Sequence, residues 1–412
     1  MGRVSGSGGW SGARGVAAEE LRRHNLAAVL EHLHLHGAAT RSQLTMITGL
    51  NRSTVADLIG QLANLGLVIE EPGAPVSGPG RPSPVVRLRP EGAFVLVAEV
   101  SVDSIAAATV GIGGQVLQQT RIARPRGYVD PKTTVRDIAE LARPLLDVQP
   151  DEHRLVGVGA AVVGIVRRSD GFVHLAPNLG WRDLPLGEVL EDALQLGVPV
   201  RVANDADLGA LGEHRRGGLG GVGHLVFISG EVGIGCRVIN DGELLPGAAG
   251  YAGEAGHMLV NPGGLPCKCG ATGCWETEVG ENSLLRRVEA VESASGLAAI
   301  DEVVRLAQSG DPATLGAISE TGKWLGIGIS NLINILNPEV VVLGGLFHRL
   351  FDFLEASAVE GARRALGASY AMAEIRRSAI GLDAPLIGAA EMALAELIYD
   401  PARVAATLAS SR

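Results

Sequence analysis

Apolar residues in the first part of the chain recur at helical spacing in three successive runs between residues 17 and 67. Leu26, Leu30 and Leu33 share one face of the first run, which ends at Gly37. The second run, 42–48, is short, with Ser42 placed to cap its free amides and Gly49 placed to close it. After the turn Gly49-Leu50-Asn51, a third helix carries Val55, Leu58, Ile59, Leu62 and Leu65 on one face and stops at Gly66. Two helices joined by a tight glycine-containing turn predict a helix-turn-helix. The pattern then changes: residues 67–70 and 85–88 read as two strands of a wing, joined by 72–84. From Phe94 onward apolar runs such as 94–98, 155–159 and 225–228 alternate with helical stretches, which predicts α/β layers. Strand-rich beginnings near 94 and 224 predict two related lobes, and the helical stretches 281–336 and 351–366 are expected to supply lobe packing and a dimer contact.

A chain of 412 residues with 46% apolar and 19% charged content has material for two or three domains. The expected division is a disordered tail over 1–16, a winged helix-turn-helix over 17–90, a body over 91–400 and a tail over 401–412. The body's lobes are expected at about 91–203 with a C-terminal return, and at 204–380. No run reaches the roughly 18 apolar residues of a membrane span, and residues 1–16 lack the core of a signal peptide. A cytoplasmic protein is expected. The net charge of −10 hides an asymmetry, because residues 1–90 hold nine Arg against six Asp plus Glu, a balance of +3. A modestly basic head on an acidic body fits a nucleic-acid-binding module joined to something else, although a solvated surface or a protein-interaction head fits so small an excess too.

On the third helix the face opposite the apolar stripe begins with Arg52, Ser53 and Asp57, at the end that would enter a major groove. Arg52 is the candidate for a bidentate guanine contact, while Ser42, Gln43 and Thr54 are better placed for phosphates. The wing segment Gly78-Pro79-Gly80-Arg81-Pro82 holds an arginine between rigid prolines, suited to a narrow, A/T-rich minor groove. The recognition helix is poor in positive charge. Double-stranded DNA is therefore expected as a pseudo-palindromic operator gripped by a homodimer or tetramer.

Three of the four cysteines, Cys267, Cys269 and Cys274, fall within eight residues, and His257 lies ten residues before the first. Three thiolates and one imidazole are the set for a closed, tetrahedral, structural zinc. Glycines 263, 264, 270 and 273 allow the turns this needs. The whole run, Glu254-Ala-Gly-His257 and then Cys267-Lys-Cys269-Gly-Ala-Thr-Gly-Cys274-Trp-Glu276, resembles the signature of the ROK family of repressors, open reading frames and kinases. The resemblance extends from about Leu21 to the C-terminal region, and the N-terminal segment places the chain beside the family's repressors.

That resemblance implies a duplicated, actin-like, ribonuclease H-like sugar-kinase fold in two lobes behind the winged head. It implies that Asn204, Asp205, Glu254, His257 and Glu276 contact a sugar, Asp205 standing where the kinases have their general base. The phosphate loops depart from the family's pattern. Where kinases have Asp-x-Gly-Gly-Thr this chain has Glu99-Val-Ser-Val-Asp103, and their second glycine loop aligns with Glu231-Val-Gly233-Ile-Gly235-Cys-Arg237. Lost glycines and added carboxylates oppose phosphate binding, so no enzymatic activity is expected. The segment 176–181 is expected near the pocket, with Asn178 either touching ligand or marking a turn that packs Trp181 in the core. The reading is a repressor of carbohydrate-related genes that binds a sugar or sugar derivative. Its alternatives are a bifunctional regulator that still phosphorylates its sugar and a regulator controlled by a protein partner.

Overall fold

The helical runs at the start of the chain become α1 (Trp10–His36), α2 (Arg41–Thr48) and α3 (Arg52–Asn64). The computed structural model describes residues 10–73, 83–150, 154–248, 250–288 and 295–410. Helix α1 starts at Trp10, so the expected tail is helical from that residue on, and residues 1–9 lie outside the described residues. No proline stops the helix, and extending one costs far less than nucleating it. The cap of α2 is Thr40, not Ser42. A two-residue strand, β1 (Ala39–Thr40), holds Thr40 in extended backbone; its Oγ1 accepts from the Gln43 amide while Gln43 Oε1 accepts from the Thr40 amide. Ser42 sits inside the first turn, and its own amide donates to Ser83 Oγ. Gly49 closes α2 at φ 67°, and Asn51 caps α3 by accepting from the Thr54 amide. Strands β2 (Val68–Glu71) and β3 (Val85–Leu88) pair antiparallel and β1 adds to β3, which completes a winged helix. The wing tip with Arg81 lies outside the described residues.

The body holds two five-stranded sheets of one topology. The first comprises β4 (Phe94–Val100), β5 (Ser104–Gly111), β6 (Val116–Ala123), β7 (Leu155–Val162) and, after a small sheet of β8 (Ile165–Arg167), β9 (Phe172–Ala176) and β10 (Trp181–Pro185), β11 (Val200–Asn204). The second comprises β12 (Leu225–Gly230), β13 (Ile234–Asn240), β14 (Glu243–Leu244), β15 (Val340–Gly345) and β16 (Glu374–Arg377). Their orders are β11-β7-β4-β5-β6 and β14-β13-β12-β15-β16. In each, the first three strands form an antiparallel meander and the last two add in parallel beside the first strand. This is the duplicated two-lobe architecture that the resemblance implied.

Helices α4 (Pro131–Asp147) and α5 (Leu186–Leu194) cover the first sheet, and α6 (Asp205–Arg216) leaves it towards the second. The second lobe carries α7 (Trp275–Val279), α8 (Glu281–Arg287), α9 (Gly296–Gln308), α10 (Pro312–Leu336), α11 (Leu346–Ala362) and α12 (Gly367–Tyr370). Helix α13 (Ala384–Tyr399) then returns to pack on β7 and β4. The expected C-terminal tail is largely a helix, α14 (Pro401–Ser410), with Pro401 in its first turn and Asp400 accepting from the Arg403 amide. Leu30, Leu33 and Leu58 of the head share one continuous core with Val95 and Ala108 of the first sheet and Leu394 of α13. A second core gathers Trp275, Leu325 and Phe347 behind the second sheet.

Candidate functional site

Strand β11 ends and α6 begins at Asn204-Asp205, at the mouth of the cleft between the sheets. Asn204 is fixed by three bonds: its Oδ1 accepts from the Asp207 amide at 3.0 Å, and its Nδ2 donates to Gly164 O at 2.7 Å and Asp205 Oδ1 at 2.8 Å. The cap that starts α6 thus also aims the Asp205 carboxylate. From the other lobe, Arg237 of β13 is 5% exposed and pairs with Asp207 and, at 3.3 Å, with Glu254. Glu276, in the first turn of α7, approaches the β12–β13 turn because Gly233 lacks a Cβ, which would lie 2.7 Å from Glu276 Oε2. Asn204, Asp205, Glu254, His257 and Glu276 all line one cavity of about 660 Å³, within the range of small-molecule sites. Asn178 lines it too and accepts from Lys268 Nζ at 3.4 Å. Trp181 is 2% exposed and donates to Val129 O, so it packs in the core.

Burial pushes the Asp205 carboxyl up to about 7 against the pull of Arg237, with Glu99 and Asp207 adding to the rise. Glu231, in the same cavity wall, is held well above the usual carboxylate range by burial and by Asp205. Two half-buried acids that resist ionising together can each donate or accept a hydrogen bond, which suits adjacent hydroxyl groups.

One wall is the loop that carries the sulfurs. Side-chain donor atoms of His257, Cys267, Cys269 and Cys274 all lie within 4.8 Å of one another, with Cys267 Sγ 3.7 Å from His257 Nδ1 and Cys269 Sγ 3.6 Å from Cys274 Sγ. Four ligands at about 2.3 Å around a tetrahedral ion stand about 3.7 Å apart, so the cluster could hold a metal with little movement. The Cys269 amide also donates to Cys267 Sγ at 3.4 Å, a bond that favours the thiolate. Gly273, at φ 79°, is required here: a Cβ would lie 1.6 Å from Asn261 O. Glu276 Oε1 is 2.8 Å from Cys267 Sγ and 3.6 Å from His257 Nδ1, which joins the cluster to the cavity.

A second, smaller cavity of about 70 Å³ lies where the departed loops meet, lined by Glu99, Asp103, Glu231 and Glu281 among others. Arg126 bridges Asp103 at 3.1 Å and Glu281 of α8 at 2.7 Å, linking the lobes. Arg121 bridges the buried Glu99 at 2.8 Å and Asp383 at 3.1 Å. In the head, Arg52, Ser53 and Asp57 are exposed on one face of α3, and Ser42 and Gln43 are exposed on α2. Gln43 uses its carbonyl for the cap, and Ser53 donates to Asn51 Oδ1.

Sequence reasoning gave no role to Arg237, Arg126 or Glu281. An arginine within an apolar strand, Cys236-Arg237-Val238, is a local sign of a paired buried charge. Nothing local marks Arg126 and Glu281 as partners across 155 positions.

A profile of the ROK family matches residues 96–396. The chain is 29% identical over 396 residues to the xylose repressor of Caldicellulosiruptor bescii, covering 92% of this chain and 98% of that one. Among solved structures, a ROK family transcriptional regulator homologous to the E. coli Mlc protein superposes with a TM-score of 0.75 at 25% identity, covering 95% of this chain and 99% of that one. A ROK family glucokinase from Streptomyces griseus, solved with glucose and AMPPNP, gives 0.62 at 26% identity, covering 73% of this chain and 98% of the kinase.

Proposed function

The chain belongs to the ROK family, and from that premise we propose that it is a sugar-responsive transcriptional repressor whose head binds an operator and whose interlobe cavity binds the effector. The observation that carries this is coverage. The regulator structure matches 95% of the chain, a share too large to leave out the winged head, whereas the glucokinase matches 73%. Because the relative that covers 92% of the chain is a xylose repressor, D-xylose is the first effector to test. Asn204, Asp205, Glu254, His257 and Glu276 would hold its hydroxyls. Arg52, Ser53 and Asp57 would face base edges, and Ser42, Gln43 and Thr54 would face phosphates. Arg81 would enter the minor groove. Two copies on a pseudo-palindromic site would supply the affinity that one weakly basic recognition helix lacks. No helix among the described residues is long and apolar enough to cross a membrane. A DNA-binding role supports a cytoplasmic location.

His257, Cys267, Cys269 and Cys274 would hold one zinc per chain. The ion would fix the loop and leave no coordination position for substrate. Control of the operator is then linkage: a sugar that prefers one lobe arrangement shifts the head, and the effect reaches DNA only as far as its affinities for the two states differ. Fluorescence anisotropy on a duplex selected from a random pool, with and without D-xylose, tests the proposal. Weakened binding with the sugar supports it, and no selectable duplex would contradict it.

We read the chain as a non-enzyme. The small cleft, at about 70 Å³, is narrow for a nucleotide in this lobe arrangement, and Arg126 spends its charge on Asp103 and Glu281. One observation favours the bifunctional alternative: Asp205 is retained, and a carboxyl poised near 7 is suited to general base work. ATP-dependent phosphorylation of a sugar panel that disappears in Asp205→Ala would establish that alternative.

A further inference from the structure

Helix α6 has a chemically distinct group at each end. Its start, Asn204-Asp205, lines the larger cavity. Its last residue, Arg216, lies about 17 Å away at 1.5 Å per residue, against the DNA-binding head. There Arg216 Nε donates to Glu391 Oε1 of α13 at 2.6 Å, and Nη1 donates to the carbonyl of His34, on α1, at 2.6 Å. Nη2 lies against the His34 ring. That ring is 1% exposed and fully engaged: Nδ1 accepts from the Gly113 amide at 2.9 Å, so Nε2 carries the proton towards Glu391 Oε2 at 3.0 Å. Glu391 is 3% exposed. Burial and these partners draw opposite ways on its carboxyl, and His34 and Arg216 prevail, holding it below the usual range.

The apolar contact between the head and the body, which buries Leu26, Leu30 and Leu33, has no preferred direction of its own. A buried network of hydrogen bonds does have one. The joint of His34, Arg216 and Glu391 therefore adds a directional constraint on the head, beside the close approach of Gly92 to Gly66 O. Helices α6 and α13 cross at backbone contact, because a Cβ on Gly388 would lie 1.8 Å from Leu208 O and one on Gly212 would lie 2.6 Å from Ala384 O. The two helices are packed as a pair. Among the described residues, the other ion pair from α1 to the C-terminal region, Arg23 with Asp400 at 3.5 Å, has an Arg side chain that is 48% exposed, and pairs of that kind contribute little.

We propose that α6, ending in the His34–Arg216–Glu391 joint, is the element through which the sugar cavity and the DNA-binding head act on each other. The inference rests on the proposed repressor function. Arg216, His34 and Glu391 are positioning residues, since they touch neither ligand. Linkage is reciprocal, so DNA on the head must alter the cavity end of α6 even before an effector is identified.

The test uses the full chain and a duplex that the wild-type protein selects from a random pool. Hydrogen exchange of residues 204–216 is followed with and without that duplex, in the wild type, in Arg216→Gln and in the isosteric Glu391→Gln. DNA is expected to change exchange near 204–208 by about tenfold in the wild type, and by less than twofold in a folded variant whose DNA Kd stays within about threefold. A wild-type-sized response in either folded variant overturns the inference. So does a wild-type response confined to α2, α3 and the wing, a result that stands even if both variants unfold. Failure to select any duplex would instead remove the repressor reading, and this inference with it.

Discussion

Asp205 carries the sharpest prediction at the scale of single residues. Its carboxyl titrates near 7 in the folded chain because burial disfavours the charge, whereas the unfolded chain ionises it near 4. A carboxyl raised by folding stabilises below the unfolded value and loses that contribution as pH rises through the folded one. Asp205→Asn removes the ionisation cost, on the order of 4 kcal/mol at its upper limit. The variant's melting temperature is expected to exceed the wild type's at pH 8 and to differ little at pH 4. Equal differences at both pH values would show that Asp205 does not titrate in this window. In the head, Arg52→Ala is expected to cost about 1–3 kcal/mol on the selected duplex and to relax the preference at one base pair, whereas a uniform loss on every duplex would make Arg52 a phosphate contact. The clustering of the Cys3His set was legible from residue types and spacing alone, since few other roles need three thiols and an imidazole so close. Arg237 was only faintly legible, and the His34–Glu391 pair, 357 positions apart, was not legible at all. Such partners are chosen by topology, which no local pattern encodes.

Among the elements, helical and strand periods foretold the head well because each of its elements buries one face. Leu44, Val55, Leu58, Ile59 and Leu62 are all buried. The cap of α2 escaped because two residues, Thr40 and Ser42, have the right side chain, and only the pairing of β1 with β3 decides which has extended backbone. Thr40→Ala should therefore cost about 1 kcal/mol and Ser42→Ala much less, a difference measurable by denaturant unfolding. The sulfur loop makes a further prediction. Two bridges, Leu259 with Cys274 and Pro266 with Thr272, are its extended pairings among the described residues, and the proposed ion would add to the order that these and its turn hydrogen bonds give. Cys269→Ser or chelation is expected to release one zinc per chain, lower the melting temperature by several degrees and weaken sugar binding through Glu276. An unchanged melt with no zinc by elemental analysis would contradict the assignment.

At the scale of the whole molecule, the two sheets repeat one strand order, and the cleft between them offers a wide cavity beside a narrow one. The wide cavity gathers the polar groups expected of a sugar site. The narrow one is spanned by Arg126 between Asp103 and Glu281, which supports the proposal that the chain does not bind a nucleotide there. The departure of these loops from the family's pattern was visible in sequence; the Arg126 bridge beside them was not. A continuous core and the joint at His34 seat the head on the body, so ligand and DNA have a physical route to one another. The most direct test of that central claim is the operator Kd of the full-length protein, measured by anisotropy at fixed salt across a D-xylose titration. The account predicts a saturable rise in Kd of about 100-fold, roughly 2.7 kcal/mol of coupling, when the sugar fills the cavity. An operator Kd that stays constant while calorimetry shows the sugar bound would contradict it.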